Sequence, residues 1–242
     1  MRIFHQIMGI FSDEYANRSA IGNNFLLLLM YRFAYPFAAI LSAAGISPNQ
    51  ITTMSILASI GAAIILVVDD GWLLFSILWG VALLLDFCDG TVARKTNTIR
   101  KTAFRYDHTS DLFKIFIVIL AVGIRYEDHT VWILSLMASF LFMFFMVINH
   151  DLNSARQRNF QANPTANEQK YGLRTNWSEE KTPIKISKAI YAALMTINGH
   201  TLLIFLLFPF GVDWALAGLS YLAAISLIRS ARSIFALKMI PK

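Results

Sequence analysis

Asp86, Asp89, Asp107 and Asp111 fall in a single stretch of the chain, LLLDFCDGTVARKTNTIRKTAFRYDHTSDLFK. The first two are three residues apart and the last two are four apart, so each pair occupies one face of a helix. Ala93, two turns beyond Asp86, shares the first of those faces. A short basic connection, Lys95 to Arg105, separates the pairs and returns the chain to the same end of both helices. Four converging carboxylates repel one another unless protons or cations intervene. Oxygen donors of this kind suit hard divalent cations, and two such ions would also supply chemistry. Gly90 removes a side chain beside Asp89 and lets a ligand approach the backbone. Arg94 puts a permanent cation one turn away, where it could hold a phosphate oxygen. The chemistry indicated is metal-dependent and acts at a phosphate.

The pattern resembles the signature of the CDP-alcohol phosphotransferase family, D-x2-D-G-x2-A-R-x8-G-x3-D-x3-D. Asp86, Asp89, Gly90, Ala93, Arg94, Asp107 and Asp111 match it at the correct spacing, seven of its eight specified positions. The departure is Ala103, where the family has glycine; one added methyl relaxes a close contact without removing a functional group. Pro48-Asn49-Gln50-Ile51-Thr52 is similar to the Pro-Asn-x-x-Thr run that opens the family's first core helix. The resemblance implies that a CDP-linked donor binds on the cytoplasmic side, an acceptor hydroxyl attacks the phosphorus next to the donor's alcohol, and CMP leaves. It further implies two Mg²⁺ or Mn²⁺ ions held by Asp86, Asp89 and Asp107, with Asp111 sharing the second ion and acting as general base. Gly90, Ala93 and Arg94 would line the nucleotide pocket, with Asn49 and Thr52 at its border. By the same analogy the protein is a homodimer and CDP-diacylglycerol is the favoured donor. A soluble CDP-alcohol passing its headgroup to a lipid or polyol is the alternative.

These residues need a scaffold, and composition indicates which. The 242 residues are 56% hydrophobic, with a mean hydropathy of +0.54, a balance that soluble domains of this size rarely reach. Apolar runs at 49–68, 71–93, 107–125, 130–150, 186–208 and 213–236 are each near the ~20 residues a membrane helix needs. Asp69, Asp70, Glu127, Asp128 and Asp213 mark one set of ends. The other set carries Arg94, Lys95, Arg100, Lys101, Arg105, Arg156, Arg158 and further lysines and arginines. The net charge of +6 is therefore a topology signal rather than a nucleic-acid-binding surface, and the positive-inside rule places both termini and the aspartates in the cytoplasm. The expected architecture is an all-α, multi-pass protein of the plasma (inner) membrane. A cytoplasmic segment, 1–23, precedes an interfacial amphipathic helix, 24–46, favoured over a crossing because Arg32 and Pro36 fall near its middle. A six-span domain, 47–238, follows, and its polar stretch 152–184 is expected as a long cytoplasmic loop. The N-terminus lacks the layout of a cleaved signal, and the lone Cys88 cannot form an internal disulfide.

Several polar residues carry a plainer reading beside a functional one. Lys101, Arg105 and Lys114 read first as topology markers or headgroup contacts, although Arg105, with Arg156 and Arg158, is also a candidate for an anionic acceptor alcohol. His108 sits between two motif aspartates at a position the signature leaves free, and a supporting or solvent-facing role is expected of it. Thr196, Asn198 and His200 could line an acceptor cavity or bond helix to helix. A divalent-cation transporter would use similar carboxylates, but near mid-membrane and commonly with a repeat or broken helix; no repeat is evident here, and Arg94 would oppose cation passage. An inactive scaffold would have no reason to keep all four aspartates.

Overall fold

Gly45 ends the first helix. In the computed structural model α1 (Phe25–Ala43) stops where Gly45 adopts φ +73°. The N–H of Ile46 returns to Leu41 O and that of Gly45 to Ser42 O, both at 3.1 Å, the paired closure that a left-handed residue allows. Ser47 starts the next helix at once. Its N–H donates to Gln50 Oε1 at 2.8 Å while the Gln50 N–H reaches Ser47 Oγ at 3.4 Å, a reciprocal capping box with Pro48 in the first helical position. The structure describes residues 11–16, 25–68, 71–98, 101–162, 187, 191, 201 and 205–239, with the backbone alone for 25, 101–105 and 156–162.

After α1 come α2 (Pro48–Val68), α3 (Trp72–Lys95), α4 (Lys101–Tyr126), α5 (His129–Ala162), a 3-10 turn (Phe205–Phe210) and α6 (Val212–Lys238). No strand occurs among the described residues. The expected spans 49–68, 71–93, 107–125, 130–150 and 213–236 thus lie on helices, while most of 186–208 lies outside the described residues. α1, α2, α3, α5 and α6 are long and apolar enough to cross a membrane. α4 does not meet that standard, since Asp107, Asp111 and Lys114 interrupt its apolar run. By length and composition α1 suits a crossing as well as the interfacial position expected of it. Residues 152–162, expected within a loop, continue α5 as helix. That stretch contains neither Gly nor Pro, its Leu152 is buried, and Pro164 follows shortly after.

α2 packs against α3 and α4, α1 against α3, and α5 against α6. The buried face of α2 is built from Ile51, Thr52, Ser55, Ser59, Ala62, Ala63 and Leu66, of which all but Ile51 and Leu66 are small residues that admit close helix approach. Ser55 Oγ donates across that contact to Ala82 O at 2.8 Å. The α4–α5 hairpin closes equally tightly, since a Cβ on Gly123 would stand 2.9 Å from Trp132 Cε3. At the same end, Tyr126 donates its hydroxyl to Phe208 O at 2.5 Å and accepts from the Gly211 N–H at 3.1 Å. Outward apolar residues such as Leu57, Ile64, Ile133, Phe140, Ile228 and Phe235 stay exposed, as a lipid-facing surface requires.

Candidate active site

α3 ends beside the site as α1 does at Gly45, but with Asn97 in the left-handed position at φ +53°. The Thr98 N–H returns to Ala93 O at 2.9 Å and the Asn97 N–H to Arg94 O at 3.3 Å. Asn tolerates this conformation better than most side chains. α4 packs on α2 rather than along α3, and in this arrangement Asp107 of α4 comes together with Asp86 and Asp89 of α3. Asp86, Asp89 and Asp107 each offer an oxygen within 4.8 Å of the others. Asp89 is buried, and Thr52 on α2 donates to its Oδ2 at 2.6 Å, fixing the carboxylate plane. Three hard oxygen donors at this separation fit a divalent cation such as Mg²⁺ or Mn²⁺.

Asp111 stands at the edge of that triad. Its Oδ1 lies 2.8 Å from Lys114 Nζ, and the same ammonium pairs with Asp86 Oδ1 and donates to Ser55 Oγ at 3.3 Å. Lys114 is only 5% exposed. The plain reading of Lys114, as a topology marker or headgroup contact, is therefore corrected: its charge lies inside the site. The clue in the sequence is its place on the face of Asp107 and Asp111, at the next i, i+3 step.

Arg94 folds back over Gly90, where a Cβ would come within 3.2 Å of Arg94 Nη1. The guanidinium lies 5.2 Å from the Tyr31 ring centroid on α1, and its Nε donates to Tyr15 O. Its Nη2 is buried without a hydrogen-bond partner among the described residues, a donor left for a ligand. Ala93 is half-buried one residue before it. Asn49 is exposed in the first turn of α2, and its carbonyl accepts from Thr53 Oγ1 at 2.9 Å. Thr53 also meets Tyr106 OH at 2.9 Å, tying the start of α4 to α2. His108 turns toward α5, its ring 5.6 Å from that of His150. Arg105, Arg156 and Arg158 lie on helical backbone, at the start of α4 and the end of α5, and their side chains lie outside the description, as do Thr196, Asn198 and His200.

Two cavities bear polar residues, and only the first is lined by the aspartates. One, of about 60 Å³, has Asp86, Asp111 and Lys114 on its wall, and its remaining lining is mostly apolar, including Met30, Phe87 and Met146. The other, of about 360 Å³, opens between α5 and α6 and is lined by Asn149, Tyr191, Arg229 and Arg232 among others. Arg229 sits 4.3 Å from the Phe145 ring centroid, and its Nη1 is buried with no hydrogen-bond partner among the described residues. Sequence reasoning passed over these two arginines, although cations three apart within an apolar span are an identifiable signal.

The family model for CDP-alcohol phosphatidyltransferase matches residues 45–226, a range that includes the α1–α2 turn, all four aspartates and Lys114. Among curated proteins none matches the chain.

Proposed function

The chain belongs to the CDP-alcohol phosphatidyltransferase family, and from that premise we propose that it is a metal-dependent enzyme moving a phosphatidyl group from CDP-diacylglycerol to an acceptor alcohol. The observation that carries the reading is the Asp86–Asp89–Asp107 triad beside Arg94, whose Nη2 has no hydrogen-bond partner among the described residues. Mg²⁺ or Mn²⁺ held by these carboxylates, two ions once the donor is in place, would supply positive charge against the pyrophosphate and the departing CMP. Arg94 orients a donor phosphate through its Nη2. Gly90 and Ala93 keep the approach to the nucleotide open, and Asn49, exposed at the start of α2, borders it. Thr52 serves indirectly, by holding Asp89.

The acceptor oxygen forms a bond to the phosphorus that carries the alcohol, and the bond from that phosphorus to the CMP oxygen breaks, CMP leaving with the electron pair. The hydroxyl proton passes to Asp111, whose side chain is 34% exposed and so open to an incoming alcohol. The apolar wall contributed by Met30, Phe87 and Met146 supports a donor with acyl chains over a soluble CDP-alcohol. The larger cavity, with Arg229 and Arg232, supports an acceptor that carries an anionic group, and Arg105, Arg156 and Arg158 lie on the helices nearest the same end. Basic residues at that end support a cytoplasmic site in a six-span protein of the plasma membrane.

Purified protein in lipid with Mg²⁺ or Mn²⁺ is incubated with CDP-diacylglycerol or with soluble CDP-alcohols, each against neutral and phosphorylated acceptors, and CMP and products are followed by mass spectrometry. CMP release from CDP-diacylglycerol that needs a phosphorylated acceptor and stops with EDTA is the expected result. Release confined to soluble donors, or unaffected by EDTA, sinks the respective part of the proposal.

A further inference from the structure

Lys114 is an unusual residue to find where it is. An ammonium in the interior of a membrane protein is costly unless its charge and its three hydrogens are all met. Here each hydrogen has an acceptor: Asp86 Oδ1, Asp111 Oδ1 at 2.8 Å and Ser55 Oγ at 3.3 Å. Ser55 is fully buried and commits its own hydrogen to Ala82 O, which leaves its lone pairs to face the lysine. Three helices therefore build the seat of this ammonium: α2 through Ser55, α3 through Asp86 and α4 through Asp111. The side chain of Lys114 is 6% exposed, against 25% for Asp86 and 34% for Asp111. Leaving that seat would strand a buried charge and unpair two carboxylates.

The position is also telling. The triad suited to a divalent ion is Asp86, Asp89 and Asp107. Lys114 instead spans the opposite edge, from Asp86 to Asp111, where a second ion shared by those two residues would have to sit. The formal charges agree with that division. Four carboxylates are balanced by Lys114, Arg94 and one divalent ion, whereas a second divalent ion leaves the site two charges positive until an anion arrives.

We propose that Lys114 is a built-in cation of the aspartate cluster, occupying the Asp86–Asp111 edge so that the donor-free protein holds a single divalent ion, at Asp86–Asp89–Asp107. The second ion then enters together with the donor's pyrophosphate, which brings the negative charge it needs. Lys114 is by this account a positioning residue, holding Asp111 at the border of the site while the triad loads. The inference rests on the metal-dependent reading of the site given above.

The test counts Mn²⁺ bound to donor-free protein in detergent or lipid, from the loss of the free-ion electron paramagnetic resonance signal, for wild type, Lys114→Met and Lys114→Arg, with circular dichroism to confirm helix content. One ion is expected in wild type and in Lys114→Arg, and a second in Lys114→Met, where the Asp86–Asp111 edge has lost its cation. Two ions in wild type, or a single ion in folded Lys114→Met, overturns the role of Lys114 and leaves the metal-dependent transferase standing. No bound ion in folded wild type overturns both. Should Lys114→Met fail to fold, the wild-type count still decides, one ion supporting the inference and two refuting it.

Discussion

Thr52 Oγ1 lies 2.6 Å from Asp89 Oδ2, joining the first turns of α2 to the most buried of the aspartates that could hold a metal. The hydroxyl has one hydrogen to give. Pro48 O, at 3.1 Å, is the neutral alternative, and the carboxylate is the stronger acceptor. Removing the donor therefore leaves a buried carboxylate oxygen without its partner. Thr52→Val keeps the shape, and divalent-ion affinity is expected to fall by about 10- to 100-fold, measured by Mn²⁺ titration. Unchanged affinity in the folded variant would show that the hydrogen bond does not orient Asp89.

Asp111→Asn removes the proposed proton acceptor while keeping size and polarity. Turnover should drop by about 100- to 10,000-fold, with binding of the CDP-linked donor largely retained. Parallel measurement of CMP release and of donor binding separates the two effects. Near-normal turnover in a folded, metal-loaded variant assigns the proton to another group.

Gly90→Ala places a methyl 3.2 Å from Arg94 Nη1. The guanidinium is the far end of a flexible side chain, so the fold tolerates the change and the arginine shifts instead. Misplacing a phosphate-orienting group by a fraction of an ångström to an ångström costs up to about 100-fold in rate. The loss should appear in kcat/KM for the donor, with thermal stability unchanged. A variant with normal kinetics would remove Arg94 from donor binding.

Gly123→Ala tests the α4–α5 contact rather than the chemistry. The new Cβ would lie 2.9 Å from a Trp132 ring carbon, and overpacking of this kind destabilises by about 1–3 kcal/mol, more than the better helix propensity of alanine returns. A lower thermal midpoint with normal activity per folded molecule is expected.

Asp128 caps α5, its Oδ1 accepting from the N–H groups of Thr130 at 2.8 Å and Val131 at 3.0 Å. The Val131 amide first, and then that of Thr130, hold the carboxyl below its ordinary value. A lowered folded value means that the cap's contribution is complete above the ordinary aspartate pKa of about 3.9 and is lost as pH falls through the folded value. Asp128→Asn keeps an acceptor that does not titrate. Hydrogen exchange at the start of α5, compared between the two proteins at each pH, should diverge only at the acid end. Identical profiles would show that the cap does not depend on charge.

The chemistry of the site was more legible than its support. Spacing alone placed Asp86, Asp89, Asp107 and Asp111 on facing helix faces, because helical periodicity is local and two short-range pairs fix it. Lys114 was not legible, since a lysine in an apolar helix can equally reach the surface along its own stem; only the approach of Ser55 from α2 and Asp86 from α3 reveals where its charge rests. Nor was the hydrogen bond from Thr52 to Asp89 legible, since the two residues are 37 apart in the chain and meet only through helix packing. The helical extension to Ala162 was hidden by polarity, which marks exposure and not loss of helix. Arg229 and Arg232 were absorbed into a span whose apolar average concealed them.

The pairing of Lys114 with Asp86 and Asp111 also bears on how the protein enters the bilayer. Each unpaired charge near the middle of a crossing helix opposes insertion by up to about 3 kcal/mol, and α4 is the helix that falls short of the apolar standard the others meet. Its lysine and Asp111 cancel within the helix, while Asp86 arrives on the helix synthesised just before it. On the six-span reading, partitioning of α4 into lipid is a property of α3 and α4 together rather than of α4 itself. On that reading a substitution in the aspartate cluster would alter how the chain enters the bilayer as well as how it meets its substrate.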